Sequence, residues 1–256
     1  MKFVLRLALV GSCLAATLSA QTILAQWRFG EADAGAANGG AVGVSTTASV
    51  GSNLSLASGA ATYTNSTPGS GSSLAVDMNA SAQFSTAAYS ALTNGSSFIM
   101  EMWFKPTSVT GDQYLLYNGD TSNNGLGLYL HNSSVQLLQG GHIDEAANAT
   151  VTAGQWNYAA IVWDAGTARV YVNDTSAPTF NAGRAINDPT GTFVLGINYA
   201  GAIDEARIST FTSGTFSTSM LNYSSVSAVP EPSTYAALAG LAALGVVAWR
   251  RRQARA

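Results

Sequence analysis

Apolar and polar positions alternate in several short stretches of this 256-residue chain. A period of two is typical of a β-strand, because successive side chains point to opposite faces of a sheet. The stretch "SFIMEMWF" places Phe98, Met100, Met102 and Phe104 on one side and Ile99, Glu101 and Trp103 on the other. Pro106 then ends this predicted strand, because proline cannot donate a ladder hydrogen bond.

The stretch "NYAAIVWD" is apolar on both sides, which is typical of a central strand. The turn "DAGT" and the alternating "ARVYVND" follow, with Ala168, Val170 and Val172 predicted to face inward, so the pair predicts a hairpin. Further short strands are predicted in "QYLLYNG", "GLGLYLHN", "VQLLQGG" and "TFVLGI". Strands at this spacing, separated by turn residues, indicate a β-sandwich, and residues 21–228 show no helical period.

Residues 1–20 have the pattern of a secretory signal peptide. Lys2 and Arg6 precede an apolar run, and small residues follow it, so we expect cleavage near Ala20, with Ala25 as the second choice. The alternative is a short membrane anchor. The stretch "LVGSC" is similar to a lipoprotein box, but the apolar run continues past Cys13. Because Cys13 is the one cysteine, the processed protein would form no disulfide.

The C-terminal end of the chain combines a second apolar run with a basic cluster. Residues 235–249 are apolar, and Arg250, Arg251 and Arg252 follow directly. Fifteen residues are short beside the roughly 20 of a usual membrane-spanning helix, although Trp249 could anchor one end. The arginines would stay on the cytoplasmic side, so the preceding chain would face outward. The alternative is a helix buried in the core.

This tail, with "VPEPST" before the apolar run and arginines after it, resembles the PEP-CTERM sorting signal of Gram-negative bacteria. The resemblance covers residues 229–253 and includes a transmembrane helix at 235–249. It implies processing by an exosortase that recognises Pro230, Glu231 and Pro232. It also implies transient anchoring in the inner membrane, followed by delivery to the cell surface or to an extracellular, exopolysaccharide-containing biofilm matrix.

Between the two terminal signals, residues 21–228 are acidic. Thirteen acidic and five basic residues give this region a net charge of −8, although the whole chain has −3. A nucleic-acid-binding domain needs a basic face, so the charge argues against nucleic acid as a partner. It also argues against polyanionic glycans, unless a cation bridges them.

Four segments in order resemble laminin-G-like, concanavalin A-like jelly-roll domains. They are "ILAQWRFGEADAG", "FIMEMWFKPTS", "GQWNYAAIVWDAGTARVYVND" and "GAIDEARIST". The resemblance implies an all-β jelly-roll sandwich, which we place at residues 21–226. Tyr158 departs from the pattern, since the family often has histidine there. This fold hosts lectins, adhesion modules and hydrolases, so it does not decide the function.

The chain lacks the carboxylate pattern of retaining glycosidases of this fold, which place acids on alternate residues of one strand. It has Glu101 and the adjacent Asp204 and Glu205. Neighbouring residues on a strand point to opposite faces, so we expect Asp204 to share a face with Ala206 and Ile208 rather than with Glu205. We therefore predict structural roles for Glu101 and Asp204. For Asp204 we expect bonds to backbone amides, to Arg207 or to Arg169.

Other catalytic patterns are also missing from the sequence. There is no Gly-x-Ser-x-Gly motif in a strand–turn–helix setting, no zinc-ligand spacing, no phosphate loop and no dinucleotide fingerprint. His131 and His142 lie near turns, and Asp144 follows His142 at two residues, but surface positions account for both histidines. The sequence therefore predicts no enzymatic activity and no catalytic residue.

Two kinds of binding site stay open. Calcium is the one ion that the sequence leaves as a candidate, because several loop acids have oxygen-bearing neighbours, although each would also suit an Asx-turn. These acids are Asp112, Asp120, Asp144 and Asp188. Aromatic side chains on a sheet or at its rim could stack on sugars, although most aromatics in strands belong to the core. The candidates are Tyr114, Tyr117, Tyr129, Trp163, Tyr171 and Tyr199.

Three hypotheses follow for the function. The first is an exported, non-catalytic surface or matrix protein that binds exopolysaccharide, other glycans or matrix partners. The second is a structural or adhesive spacer with no small ligand. The third is a glycoside hydrolase or lyase, which would need a carboxylate pair facing one cleft.

Overall fold

The computed structural model describes residues 21–69, 71–173, 179–181 and 185–223. The predicted signal peptide, the sorting motif Pro230, Glu231 and Pro232, the apolar run at 235–249 and the arginines Arg250, Arg251 and Arg252 lie outside these residues. Within the described part, no helix has the length and apolar character needed to cross a membrane.

The described residues form sixteen β-strands and one short 3₁₀ helix, Thr218–Met220. The strands are β1 Gln21–Trp27, β2 Ser45–Thr46, β3 Leu54–Ser58, β4 Ala61–Thr64, β5 Ala75–Met78, β6 Gln83–Ala87, β7 Ser97–Pro106, β8 Asp112–Gly119, β9 Leu126–His131, β10 Ser134–Gln139, β11 His142–Thr150, β12 Asn157–Asp164, β13 Thr167–Val172, β14 Thr179–Asn181, β15 Thr192–Ile197 and β16 Gly201–Phe211. The predicted all-β class is therefore confirmed.

The strands form two eight-stranded antiparallel sheets. The first sheet has the order β14-β13-β12-β7-β16-β5-β4, and β1 pairs with β16 beside this path. The second has the order β11-β10-β9-β8-β15-β6-β3-β2. Neighbours such as β7 and β16 are far apart in sequence, which is the connectivity expected for a jelly-roll sandwich. The predicted hairpin is β12–β13, and its turn places Ala165 and Gly166 at positive φ.

The core lies between the two sheets, and each alternating strand directs the side chains of one of its faces into it. The side of β7 that was predicted from Phe98, Met100, Met102 and Phe104 is fully buried there. Leucines of the second sheet, such as Leu128 and Leu130, belong to the same cluster. The indole of Trp27 stacks on Phe193 across the sandwich, with ring centroids 5.3 Å apart. Alternation in the sequence therefore separated the two sides of β7 correctly, and Ala168, Val170 and Val172 of β13 face the core as predicted.

The outer face of the first sheet is covered by residues 212–223, which we call the covering segment. Its Phe216, Met220, Leu221 and Tyr223 pack on outward side chains of the sheet. The ring of Tyr223 stacks on Trp103 with centroids 5.7 Å apart and an interplanar angle of 7°. Groups that would otherwise face solvent on β7, β12 and β16 are therefore enclosed.

Strand β16 contains a β-bulge that the sequence pattern did not reveal. Asp204 pairs with Trp103 and Arg207 with Glu101, so one extra residue lies between them on β16. Glu205 takes a φ of 49° at this point. The bulge changes the face that each following residue occupies, because it adds a single residue to a period of two.

Candidate functional site

The predicted carboxylates on the first sheet form a buried network under the covering segment. Glu101 is fully buried, and its carboxylate accepts hydrogen bonds from Arg207 Nε at 2.6 Å, from the Tyr158 hydroxyl and from the backbone N–H of Asn222 at 2.8 Å. Burial and the neighbouring Glu101 charge raise the pKa of Tyr158 well above its usual value. Glu101 is therefore held by an ion pair and hydrogen bonds inside the protein, as a carboxylate with the predicted structural role would be.

The prediction for Asp204 was wrong in its geometry. Ala206 and Ile208 face the core, whereas Asp204 lies opposite the outward-facing Trp103. The Glu205 carboxylate also reaches the outer side, where it pairs with Arg28 Nε at 2.8 Å. The bulge is the reason, because it puts two adjacent carboxylates on one face. Asp204 Oδ1 accepts the backbone N–H of Glu205, as predicted, and both side chains are enclosed.

A polar cleft of 230 Å³ lies at one end of the second sheet. We call it the amide cleft, because four of its residues have carboxamide side chains. It is lined by Ser122, Asn123, Asn124, Gly125, Gln139, Gly140, His142, Ala185 and Asn187. Three chain segments meet here: the β8–β9 connection, the β10–β11 turn and the segment before β15.

Hydrogen bonds join the segments around the amide cleft. Asn124 donates from Nδ2 to Thr190 Oγ1 at 2.8 Å and accepts the Thr190 N–H at Oδ1. Asn187 donates from Nδ2 to the carbonyl of Asn123 at 3.1 Å. Asp120 accepts the N–H of Ser122 at 2.8 Å, so it forms the Asx-turn that the sequence left open. These bonds fix the position of the cleft walls.

Tyr117 supports the amide cleft from beneath. Its ring is fully buried, and its hydroxyl donates to the carbonyl of Asn124 and accepts the N–H of Gly140, both at 2.9 Å. Gly127 makes room for it, since a Cβ there would lie 2.6 Å from the ring. Tyr117 was a candidate sugar platform, but its buried hydroxyl instead links two turns, through Asn124 and Gly140.

Near Tyr117, a smaller aromatic group lies on the outer face of the second sheet. Tyr114 and Tyr129 pack edge to face at 5.1 Å, and His131 stacks on Tyr129 at 6.2 Å. His131 Nδ1 lies 2.6 Å from Asp112 Oδ1. Hydrogen bonds from Tyr129 and His131 hold the pKa of Asp112 below its usual value. Of the candidate platforms, Tyr114 keeps partial exposure here.

The other candidate aromatics are structural. Trp163 and Tyr199 are fully buried and donate to the carbonyls of Asn94 and Ala202. Tyr171 packs against Phe216 of the covering segment.

The remaining predicted acids and histidines do not assemble into one site. Asp188 is exposed, and the side chain of Asp144 lies outside the described residues. His131 and His142 lie at opposite ends of the strands β9 to β11. His131 pairs with Asp112, and His142 lines the amide cleft. Among the described residues, no group of three or more Asp, Glu, His or Cys side chains is arranged to hold a metal ion.

Sequence reasoning missed Asn123, Asn187 and Gln139. They lie in three separate segments, and asparagine in a Gly/Ser/Asn-rich loop is most simply explained as a turn residue. The local signals were the "SNNG" and "QGG" turns, which marked chain reversals without indicating that these reversals meet.

Known structures of similar fold come from several protein classes. Domain 4 of AbnA, a GH43 extracellular arabinanase from Geobacillus stearothermophilus solved with arabinotriose, is 17% identical, with a TM-score of 0.53, covering 78% of this chain and 96% of that domain. The binding domain of botulinum neurotoxin serotype D is 12% identical (TM-score 0.52, 77% of this chain), and Trypanosoma rangeli sialidase is 11% identical (0.53, 80%).

These similarities are confined to the fold, because the sequence identities are low. The match spans about half of the toxin binding domain, at 49%, and about a third of the sialidase, at 32%. Among curated protein sequences, none matches this chain at a significant level.

Family models match two regions of the chain. The model described as the concanavalin A-like lectin/glucanases superfamily, of laminin G type, matches residues 77–213, which is more than half of the chain. The PEP-CTERM protein-sorting motif matches residues 228–252, and this motif implies export and processing by an exosortase. The chain therefore belongs to the laminin G-type concanavalin A-like superfamily and carries a PEP-CTERM sorting motif at its C-terminal end.

Proposed function

We propose that this exported protein binds neutral carbohydrate through the amide cleft, as a non-catalytic component of the cell surface or extracellular matrix. Exosortase processing would deliver it there after transient anchoring in the inner membrane. Exopolysaccharide of the surrounding matrix is the ligand class that this location would offer.

The amide cleft is the observation that carries this proposal. A carboxamide has both donors and acceptors, and a sugar hydroxyl needs both kinds of partner. Asn123, Asn187 and Ser122 are exposed at the cleft, so their side chains are accessible to a ligand. The net charge of −8 over residues 21–228 favours an uncharged glycan over an anionic one.

The buried carboxylates support a non-catalytic role. A retaining glycosidase needs two carboxyl groups that reach one sugar. Glu101 is ion-paired with Arg207, Glu205 with Arg28, and both lie beneath the covering segment. Among the described residues, those that line the amide cleft include no carboxylate.

Binding of neutral oligosaccharides to the exported protein tests the proposal. Arabinotriose is a suitable first probe, because the arabinanase domain of similar fold was solved with it; a panel of neutral glycans on an array extends the search. We expect binding that Asn123→Ala and Asn187→Ala each weaken at least about 10-fold, since each removes hydrogen bonds to a partly desolvated ligand.

The matched control is Gln155→Ala, which removes an exposed carboxamide that does not line the cleft. This variant should bind like the native protein and keep its melting temperature (Tm). Asn123→Ala and Asn187→Ala each also remove one exposed hydrogen bond within the cleft walls, to Asp120 and to the Asn123 carbonyl, so we expect them to lower Tm only slightly. Binding that survives both cleft substitutions would place the ligand elsewhere. No binding to any glycan would favour the structural spacer, and release of reducing sugar would favour a hydrolase.

A further inference from the structure

Strand β1 belongs to the first sheet from its first residue onward. It pairs antiparallel with the C-terminal part of β16, beginning with Gln21 opposite Phe211. Ala25 and Trp27 are fully buried in the core between the sheets. Because the ladder and the core both use this strand, the fold depends on residues 21–25 as well as on those that follow.

The side chain of Gln21 connects β1 to the covering segment. Its Nε2 donates to the Ser209 hydroxyl at 2.8 Å and to the carbonyl oxygen of Met220 at 3.0 Å. A carboxamide nitrogen carries two hydrogens, so both bonds can form at once. Ser209 is fully buried and Met220 almost so, which keeps both acceptors away from bulk water. We call this contact of Gln21, Ser209 and Met220 the terminal latch.

Other polar contacts hold the covering segment beside the terminal latch. Arg207 of β16 also donates to the carbonyl oxygen of Met220, and the N–H of Asn222 donates to Glu101 of β7 at 2.8 Å. Polar groups of three strands therefore bind the covering segment at residues 220–222. The match to the sorting motif begins at residue 228, so the terminal latch joins the start of β1 to the chain shortly before that motif.

We propose that the signal peptidase cleaves the bond between Ala20 and Gln21, and that Gln21, as the N-terminal residue of the exported protein, binds the covering segment to the first sheet. Cleavage after Ala25, the second choice from the sequence, would remove the buried Ala25, the ladder pairs before Gln26 and the donor of the terminal latch. Cleavage after Ala20 keeps all of them. The proposal does not depend on carbohydrate binding at the amide cleft.

An N-terminal glutamine can cyclise, and this reaction gives the terminal latch a chemical test. The α-amino nitrogen attacks Cδ and forms a bond to it, the bond from Cδ to Nε2 breaks, and the nitrogen leaves as ammonia with a hydrogen from the amine. The resulting lactam has no NH₂ group that could donate to Ser209 and Met220. The latched protein must therefore keep Gln21 uncyclised.

Mass spectrometry of the N-terminal peptide tests the cleavage site. The full chain is expressed with its own N-terminal segment in a Gram-negative host, and the exported form is purified in mild detergent. We expect a chain that begins at Gln21 and has not lost ammonia. A chain that begins at any other residue, or one that retains residues 1–20, would overturn the assigned cleavage site. Loss of ammonia from most molecules would overturn the terminal latch.

Hydrogen exchange tests the terminal latch in the folded protein. Gln21→Met removes both donated bonds, so the amide of Asn222 should exchange about 10-fold faster. Thr22→Ala is the matched control, since it changes the exposed neighbour in the same strand and should leave this rate unchanged. A native rate in Gln21→Met would overturn the terminal latch. Should Gln21→Met alter the cleavage, Ser209→Ala decides: it lies far from the cleavage site, removes one acceptor and should give a smaller increase.

Discussion

The buried ion pair between Glu101 and Arg207 gives the sharpest prediction for stability. The Glu101 carboxylate has no exposed surface and accepts from Arg207, Tyr158 and Asn222. We consider Glu101→Gln, which keeps the volume of the side chain and removes its charge. The NH₂ group of the new amide replaces one carboxylate oxygen. It must therefore face either Arg207 or the Tyr158 hydroxyl and the Asn222 N–H, which are themselves donors. Arg207, whose side chain is 11% exposed, loses its counter-ion.

The magnitude follows from what is lost. Removing one partner of a buried ion pair costs about 3–5 kcal/mol, because the other charge stays buried without compensation. Counting two lost charge-assisted hydrogen bonds at about 1.5–3 kcal/mol each gives a similar figure. We therefore expect Glu101→Gln to lower the free energy of unfolding by about 3–5 kcal/mol, a large share of the total for a domain of this size.

Urea denaturation followed by tryptophan fluorescence measures this change, because Trp103 lies beside the network. The double variant Glu101→Leu with Arg207→Met removes both charges and should recover the part of the loss that comes from the unpaired arginine, whereas Tyr158 and Asn222 still lack their acceptor. Asp112→Asn breaks an exposed pair with His131 and should leave the midpoint almost unchanged. A loss below about 1 kcal/mol for Glu101→Gln would refute the reasoning, since it would mean that Arg207 is already solvated.

Three further substitutions test other contacts. Tyr117→Phe removes the hydroxyl that donates to the Asn124 carbonyl and leaves the Gly140 N–H with only its bond to the Gly125 carbonyl. We expect unfolding to become easier by about 1–3 kcal/mol and glycan binding to weaken, measured by denaturation and calorimetry. Gly127→Ala places a Cβ 2.2 Å from the backbone oxygen of Leu116 and should cost about 1–3 kcal/mol or more in the same assay. Burial raises the pKa of Asp33, but hydrogen bonds outweigh it and lower that pKa overall. The stability that ionised Asp33 gives to the folded protein should be present above pH 3.8 and be lost as the pH falls below it. Asp33→Asn should flatten that part of a Tm–pH curve.

Much of the fold could be predicted from the sequence because strand alternation is a local property. The inward side of β7 and both sides of β12 followed from a period of two. The hairpin β12–β13 followed from a short turn between alternating stretches. The pairing of β7 with β16 could not be predicted in this way, because it joins strands about a hundred residues apart.

The candidate sites were less accessible to sequence reasoning. The alternation rule misplaced Asp204, because one residue at positive φ, Glu205, shifted the following part of β16 to the opposite face. Tyr117 was a candidate sugar platform, although most aromatics on strands are core residues, and the turns around its hydroxyl bury it. The structural role predicted for Glu101 agrees with its burial and ion pair, but its partner Asn222 lies in the covering segment, which no pattern identified.

The sequence by itself determined the class of the fold, the inward faces of its strands and the sorting motif, because each is written in consecutive residues. The tertiary structure alone decided which turns meet to form the amide cleft and which acids gather under the covering segment. Asn123 and Asn187, like Glu31 and Asp204, come together through the pairing of distant strands. That pairing depends on the whole core rather than on the residues of either site.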